Sequence, residues 1–196
     1  MAQRPAATGR VRIIGGDWRG RSVRVPDGPG LRPTPDRVRE TLFNWIQRHI
    51  AGRAVADLFG GSGALGFEAA SRGAASVTIV ERDRQARAQL HANALALAAG
   101  AVNIVRGDAL DWLPHVQTPL DGVFIDPPYH HGLQAKALAL LRRPGVLSDS
   151  AWVYLESAAD EAVAWTPGCW EVSRDKRHGG VRARLLRPTR RSTASP

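Results

Sequence analysis

Apolar residues recur along the chain in two alternating patterns, short runs and longer stretches with helical spacing. The predicted strands are the short runs at residues 54–59, 75–80, 102–109, 120–125 and 151–156, and the third of these ranges includes the residues that leave the strand. The predicted helices lie between them, at residues 67–73, 84–99 and 133–141, with a shorter helix or turn at 110–116. Strands that alternate with helices predict an α/β fold with a mostly parallel, doubly wound sheet.

Both ends of the chain alternate in the manner of β-hairpins. Residues 10–25 hold two short alternating runs around a Gly-Gly-Asp-Trp-Arg-Gly turn, and residues 170–186 alternate around Arg-His-Gly-Gly. The second hairpin predicts an antiparallel edge on the sheet. The first is an N-terminal β-hairpin arm whose solvent side carries five arginines opposed only by Asp17, which favours contact with nucleic acid.

One further helix is predicted after the first hairpin. Val38, Leu42, Trp45 and Ile46 fall on one helical face. Thr34 or Asp36 is expected to cap this helix, with Pro35 in its first turn. Arginines at 37 and 39 oppose the helix dipole, so the pattern predicts either a bound anion at this end or a plain solvated face.

Composition adds a charge argument and removes several kinds of site. The chain has 196 residues, a net charge of +9 and a pI near 11.2, which indicates a polyanionic partner. One cysteine, Cys169, excludes a disulfide framework, and the histidines show no metal-ligand spacing, so no metal is predicted. No apolar run reaches the length of a membrane span, and a soluble, cytoplasmic protein is expected.

The most specific motif is Asp126-Pro127-Pro128-Tyr129, directly after the fourth strand of the predicted sheet. Two prolines cannot continue a sheet, so the strand ends in a stiff corner with an aromatic ring beyond it. In an open α/β sheet this edge is where ligands bind. An acid, two carbonyls and a flat ring form a suitable cradle for a planar amino group. His130 and His131 beside it favour a solvated loop pair over a contact with the substrate.

A glycine-rich turn precedes this motif, and its cofactor is ambiguous on spacing alone. Gly61, Gly63 and Gly66 match the Gly-x-Gly-x-x-Gly dinucleotide pattern, with Glu81 about twenty residues on, but S-adenosylmethionine sites use a similar turn. Asp57 tilts the choice, because a carboxylate there suits the amino group of methionine and would repel a pyrophosphate. A carboxylate at Asp108 suits an adenine amino group.

These residues resemble a known family. The turn and the corner are similar to the amino-methylating S-adenosylmethionine-dependent methyltransferases, with a Rossmann-like fold. Residues 12–21 and 30–45 are similar to the bacterial 16S rRNA guanine-N2-methyltransferases of the RsmD type, and the likeness runs from about residue 10 to 187. The resemblance implies methylation of the N2 amine of one guanine, position 966, in the small ribosomal subunit or its assembly intermediate, by a cytoplasmic enzyme that is expected to be a monomer.

The resemblance also implies site residues and domain bounds. The predicted catalytic residues are Asp126, Pro127, Pro128 and Tyr129. The predicted cofactor-binding residues are Asp57, Phe59, Gly60, Gly61, Ser62, Gly63, Glu81, Arg82, Asp108, Ala109, Thr34 and Arg37. The predicted RNA-binding residues are Arg10, Arg12, Trp18, Arg19, Arg21 and Arg39. The expected segments are a basic tail and hairpin arm (1–30), a catalytic domain (31–188) and a disordered tail (189–196).

Three alternatives stay open on the residues themselves. The corner alone does not choose guanine over adenine, so an adenine-N6 or DNA amino-methyltransferase shares the motif. The glycine-rich turn taken alone allows an NAD-linked oxidoreductase. A non-catalytic RNA-binding assembly factor is a third possibility, which the complete set of strand-end acids disfavours.

Overall fold

The computed structural model describes residues 9–26 and 34–189. Its strands are β1 (Arg10–Arg12), β2 (Ser22–Arg24), β3 (Ala54–Asp57), β4 (Ser76–Glu81), β5 (Val102–Arg106), β6 (Leu120–Ile125), β7 (Leu147–Ala158), β8 (Trp170–His178) and β9 (Val181–Pro188). Its helices are α1 (Asp36–Ile46), α2 (Ala64–Ser71), α3 (Arg84–Leu97), α4 (Ala109–Trp112) and α5 (Leu133–Leu141), with 3-10 turns at Gln47–His49 and Leu113–His115. The predicted tail at 1–8, the Pro/Gly-rich segment at 27–33 and the end of the C-terminal tail lie outside the described residues.

Seven strands form one sheet in the order β5-β4-β3-β6-β7-β9-β8. The pairs from β5 to β7 are parallel, and β9 is antiparallel to both β7 and β8. The chain runs outward from β3 to β5, then returns to the other side of β3 with β6, so the strand order reverses between β3 and β6. The predicted doubly wound sheet with an antiparallel C-terminal hairpin is confirmed.

Each face of the sheet is covered by apolar residues, as a sheet with helices on both sides requires. One cluster joins the sheet to α1, α2 and α3, and includes Phe43, Phe67, Phe124 and Trp152. The other joins it to α4 and α5, and includes Val123, Leu138 and Leu155 among its members. Gly122 in β6 is required by this packing, because a Cβ there would lie 2.2 Å from the Trp152 ring.

The N-terminal hairpin forms a separate two-stranded sheet, β1 paired with β2 antiparallel, as predicted. It packs on the domain, because Val11, Ile13 and Val23 belong to the same buried cluster as α1, α2 and α3. The alternation seen in the sequence is therefore real, with valines inward and arginines outward. Burial of its inner side makes the hairpin one layer of the domain rather than a projecting arm.

The start of α1 differs from the prediction. Pro35 is the N-cap residue, and no side chain caps the helix. The Thr34 hydroxyl instead donates to Asp126, and Asp36 accepts from Arg39 within the helix. Both predicted caps are wrong, because the Thr34 side chain bonds the corner after β6 and the Asp36 side chain, itself in the first turn of the helix, bonds Arg39. Within the part of the chain that the structure describes, no helix is long and apolar enough to cross a membrane.

Candidate active site

The Asp-Pro-Pro-Tyr corner lies where β6 ends, beside the strand-order reversal of the sheet. Ile125 is fully buried in the sheet, Asp126 is half-buried, Pro127 is buried and Pro128 is exposed. The Thr34 hydroxyl donates a 2.8 Å hydrogen bond to Asp126 Oδ2. The predicted strand end is therefore confirmed, and the carboxylate of Asp126 faces the segment that leads into α1.

A second carboxylate, Glu156, lies beside Asp126. Phe124 and Ile125 of β6 pair with Tyr154 and Leu155 of β7, so Glu156 follows at the same edge of the sheet. Glu156 is 2% exposed and accepts hydrogen bonds from two phenols, Tyr129 at 2.8 Å and Tyr154 at 2.7 Å. Sequence reasoning placed Glu156 at a strand end but did not assign it to the site. The rule that selected Asp57, Glu81 and Asp108 would have selected it too.

Both carboxyl groups have a raised pKa. Burial raises the pKa of Asp126 well above its usual range, and the charge of Glu156 raises it further, while the Thr34 hydrogen bond opposes the shift. Burial also raises the pKa of Glu156, against the two tyrosine hydrogen bonds. The pKa of Tyr129 is raised first by burial and then by the charge of Glu156. Strongly perturbed groups at a sheet edge are typical of a catalytic site.

The glycine-rich turn connects β3 to α2 at the same edge. Gly63 is the N-cap of α2 with φ 75°, a left-handed conformation that glycine adopts without strain. A Cβ at Gly63 would lie 2.5 Å from Leu90, so no side chain fits between the turn and α3. The amide of Gly61 donates to Glu81 Oε2 at 2.7 Å, which holds the turn against the end of β4.

Asp57 lies beneath this turn at the end of β3. It is 2% exposed, and its Oδ2 accepts a 3.0 Å hydrogen bond from the Gly66 amide. Burial raises its pKa to about 7, opposed by the backbone hydrogen bonds. Asp57 forms no ion pair within residues 9–26 and 34–189. The carboxyl group is therefore well suited to receive the ammonium of a ligand, because the opposite charge would restore its ionised form.

Glu81 and Asp108 end the next two strands. Glu81 accepts from the Gly61 amide and, through Oε1, from the Asp83 amide at 2.7 Å. Asp108 follows β5 and caps α4 through a 2.8 Å hydrogen bond from Leu110. Four neighbouring strands of the sheet thus each end in an acid. The acids are Asp57 at the end of β3, Glu81 at the end of β4, Asp108 after β5 and Asp126 after β6, as the sequence predicted.

Comparison with known proteins decides the family. Residues 11–187 match the family model described as "Conserved hypothetical protein 95". Over 180 residues the chain is 46% identical to Ribosomal RNA small subunit methyltransferase D of Escherichia coli strain K12, an alignment that covers 92% of this chain and 91% of that protein. The chain belongs to this family. The Haemophilus influenzae relative of the same name is 42% identical over 187 residues, which cover 93% of this chain and 96% of that protein.

Solved structures agree with this family and its fold. The Escherichia coli protein described as "Putative methyltransferase yhhF" superposes with a TM-score of 0.83 at 45% identity, over 93% of this chain and 100% of that chain. The fold is the Rossmann-like fold of S-adenosylmethionine-dependent methyltransferases. The site fits that cofactor, since its ammonium, ribose hydroxyls and adenine amine are all hydrogen-bond donors and the strand-end carboxylates are acceptors. A pyrophosphate has the opposite requirement, which disfavours the dinucleotide alternative.

The remaining predicted cofactor residues surround the same edge. Phe59 is half-buried after β3, Ser62 is buried within the turn, and Ala109 is buried at the start of α4. Arg82 is exposed after β4, and Arg37 is exposed in the first turn of α1. Among the described ranges, no cluster of His, Cys, Asp and Glu has the arrangement of a metal site.

The prediction that Arg39 binds RNA is wrong, because the structure buries this residue. It is completely buried, donates to Asp36 and to the Arg12 carbonyl, and lies 3.5 Å from Glu68. Arg39 therefore does not bind an external anion at the start of α1, because Asp36 and Glu68 of the same chain already face its guanidinium. The guanidinium is an internal tie between α1, α2 and the hairpin, and it is inaccessible to RNA in this structure.

The other predicted RNA-binding residues lie on the hairpin. Arg10, Arg12, Arg19 and Arg21 are exposed, whereas Trp18 is half-buried and packs against the core. The hairpin tip lies against the C-terminal end of α2, where the amide of Trp18 donates to Ser71 Oγ. Because α2 runs antiparallel to β3, this tip lies at the sheet edge opposite to the candidate active site.

Proposed function

We propose that this protein transfers a methyl group from S-adenosylmethionine to the exocyclic N2 amine of one guanine of 16S rRNA, position 966, in the small ribosomal subunit. The observation that carries the proposal is the alignment of four strand-end acids at one sheet edge, with the Asp126 corner beside the acids suited to the methyl donor. Membership of the rRNA methyltransferase family and the name of the 46% identical relative support the rRNA substrate.

The corner suits an amino group that is a poor nucleophile. The lone pair of the guanine amine is delocalised into the ring, so its orientation matters more than its basicity. Asp126 and the Pro127 carbonyl accept the two N–H bonds of the amine and turn the nitrogen toward the donor, a positioning effect. When bound, S-adenosylmethionine supplies an electrophilic methyl on a sulfonium. Asp126 accepts the proton that the nitrogen releases.

The residues around the corner suit a base that has been flipped out of its base stack. Pro128 is exposed and the Tyr129 ring is half-buried at the mouth of the site, so a flipped base can stack on that ring. Asp57 with residues 60–63 holds the methionine end of the cofactor, Glu81 its ribose and Asp108 its adenine. Thr34 orients Asp126 through the hydrogen bond already described.

Basic residues at this edge suit the rRNA backbone. Ala183 of β9 pairs with Glu156 on one side and with Lys176 on the other, so Lys176 lies level with the active carboxylates. The charges of Lys176 and Arg37 both act on His178, lowering its pKa after the effect of burial, so both cations lie within electrostatic range of His178. We call Arg37, Lys176 and Arg177 the basic rim, and we propose that it, more than the hairpin tip, guides RNA to the site.

The proposal is tested by methylation of small subunits from a strain that lacks the enzyme. The purified protein is incubated with these subunits and labelled S-adenosylmethionine, and the modified nucleotide is mapped. Label on the N2 amine of guanine 966 is expected. Label on an adenine, on DNA or on no substrate overturns the proposal.

A variant separates chemistry from cofactor binding. Asp126→Ala is expected to bind S-adenosylmethionine as the wild type does and to lose methyl transfer by roughly two orders of magnitude or more, as for the loss of one charged group at a reacting centre. Near-normal turnover contradicts the role of Asp126. Exposed Asp149, changed to Asn, is the control for the loss of a carboxylate elsewhere on the surface.

A further inference from the structure

We propose that Glu156 is a positioning residue for the methyl transfer, which holds the Tyr129 ring in place for the target base. This inference rests on the proposed function, because it gives Tyr129 the role of base platform. It concerns a residue that no motif of the family resemblance marks. The evidence is a set of contacts that begins in the core and ends at the mouth of the site.

The rigid end of this set is Tyr154 in the middle of the sheet. Tyr154 is completely buried, and its ring meets Phe124 edge-on with centroids 6.3 Å apart and planes at 74°. Its hydroxyl donates to Glu156 Oε2 at 2.7 Å. The carboxyl group of Glu156 is therefore held by a side chain that is packed in the core.

The other end is Tyr129, which belongs to no helix or strand. It follows two prolines and precedes His130, whose φ is 63°. Its hydroxyl donates to Glu156 Oε1 at 2.8 Å, and this bond joins the loop to β7 across 27 residues of sequence. One oxygen of the carboxylate thus accepts a hydrogen bond from the core residue Tyr154, and the other accepts one from Tyr129 in the loop. Through these two bonds the position of Tyr129 is tied to that of Tyr154.

A carboxylate is an unfavourable choice for a purely structural tie. Burial of an ionised group away from water is destabilising unless it is paired or hydrogen-bonded. Within residues 9–26 and 34–189, Glu156 forms no ion pair, and its described partners are hydroxyl donors. An acceptor with two oxygens is what two phenols require, and no neutral side chain offers two equivalent acceptor atoms in this geometry.

The charge of Glu156 also acts on the groups around it. The groups that face this site are Asp126 at the end of β6, Asp57 at the end of β3, and Tyr129, Tyr154 and Glu161 around Glu156. The nearby negative charge makes Asp126 hold a proton more readily, which favours its role as the final proton acceptor. Removal of this charge moves the pKa of Asp126 toward its usual value.

The first test reads Tyr129 directly and needs no RNA. The chain contains two tyrosines, 129 and 154, so protein labelled with 3-fluorotyrosine gives two 19F resonances. Tyr129→Phe assigns them. In Glu156→Gln the Tyr129 resonance is expected to titrate at lower pH than in the wild type and to sharpen, because the charge is lost and the single amide oxygen does not replace the two acceptor oxygens that hold Tyr129 and Tyr154. Glu161→Gln is the matched control, since Glu161 affects Tyr129 by charge without touching its hydroxyl.

The second test uses the wild type and the Glu156→Gln, Tyr129→Phe and double variants with small subunits. Loss of a charged hydrogen bond predicts a roughly tenfold or larger fall in kcat/KM for each single variant, with unchanged affinity for S-adenosylmethionine. Compared on the plateau of each pH profile, where Asp126 is ionised in every variant, the double variant is expected to be no worse than either single variant, because the positioning effect of Glu156 acts through Tyr129. The rising limb of the pH profile of Glu156→Gln is expected to move to lower pH.

The outcomes distinguish this inference from the proposed function. Multiplicative losses in the double variant, or a Tyr129 resonance that Glu156→Gln leaves unchanged, overturn the positioning role while methylation itself stands. Absence of methylation by the wild type removes the proposed function, and the 19F titration then still decides whether Glu156 holds the ring. Equal responses of Glu156→Gln and Glu161→Gln show a general charge effect and also overturn the proposal.

Discussion

The Thr34 hydroxyl donates to Asp126 Oδ2 across 92 residues of sequence. This bond joins the segment that leads into α1 to the corner after β6, and so connects the N-terminal part of the chain to the candidate active site. It also opposes the rise in the pKa of Asp126 that burial and Glu156 produce. Thr34 therefore orients the carboxylate and favours its ionised form.

Thr34→Val is expected to shift the activity of the enzyme toward higher pH. The hydrogen bond lowers the pKa of Asp126, so its loss raises that pKa further, and the ionised form that we propose accepts the amine appears only at higher pH. The pH dependence of kcat/KM measures the shift. Thr41→Val, which removes a hydroxyl that donates to the Arg37 carbonyl, is the control. Identical profiles for Thr34→Val and the wild type contradict the assignment.

Asp57→Asn is expected to weaken cofactor binding and to stabilise the protein at pH 8. The folded-state pKa of about 7 lies above the usual 3.8, so the ionised form is penalised, and the contribution of Asp57 to stability is lost as pH rises through 7. At about 1.4 kcal/mol per tenfold change in proton affinity, the penalty is up to about 4 kcal/mol.

Urea unfolding at pH 5 and pH 8, with calorimetric titration of S-adenosylmethionine, checks both parts of this prediction. The variant gains more stability relative to the wild type at pH 8 than at pH 5, because the penalty on the wild type grows until Asp57 is ionised in the folded state. Its affinity for the cofactor falls by roughly tenfold or more, as expected for loss of a charged hydrogen bond. Cofactor affinity equal to that of the wild type removes Asp57 from the site.

The basic rim and the hairpin tip make opposite predictions for RNA binding. Lys176→Ala with Arg177→Ala is expected to weaken binding to small subunits and to lessen its salt dependence, because the variant neutralises fewer phosphates and releases fewer counterions. Arg19→Ala with Arg21→Ala removes the same charge at the opposite sheet edge and is expected to have little effect. The affinity for small subunits, measured at several salt concentrations, distinguishes the two surfaces. Weaker binding by the Arg19/Arg21 variant than by the Lys176/Arg177 variant means that the hairpin tip is the RNA-binding surface.

Glu68 is expected to be among the most sensitive positions for stability. It is completely buried in α2, accepts from the amides of Ile14 and Gly15 at 2.8 Å each, and pairs with Arg72 and Arg39. Glu68→Ala leaves the buried Arg39 without this partner, which predicts a loss of about 3–5 kcal/mol in the free energy of unfolding.

The control for Glu68→Ala is Asp175→Asn, which breaks the partly exposed pair of Asp175 with Arg182. That pair lies at the surface of β8 and β9, where an ion pair contributes at most about 1 kcal/mol. Chemical unfolding of both variants measures the difference. A loss after Glu68→Ala no larger than after Asp175→Asn means that the hairpin and α1 are held without this cluster.

Local signals in the sequence were enough to predict the fold and to place four acids at strand ends. Alternation and helical spacing predicted the strands and helices because each pattern reports which side of an element is buried. Asp57, Glu81, Asp108 and Asp126 were predicted together because each directly ends a strand, and parallel strands of one sheet end at a common edge. The corner at Pro127 and Pro128 was predicted because a proline pair cannot continue a sheet.

The tertiary structure decided what depends on contacts between distant segments. Arg39 looked like a surface cation, but Glu68, 29 positions later in the sequence, draws it into the interior. Trp18 looked like part of an RNA-contacting tip, but the direction of α2 places that tip at the far edge. Glu156 was visible as a strand end, yet its role arises only because β7 lies beside β6 and brings it to Tyr129. Sequence periodicity reports the inner side of each element, whereas the neighbours of a buried charge are set by how the elements pack.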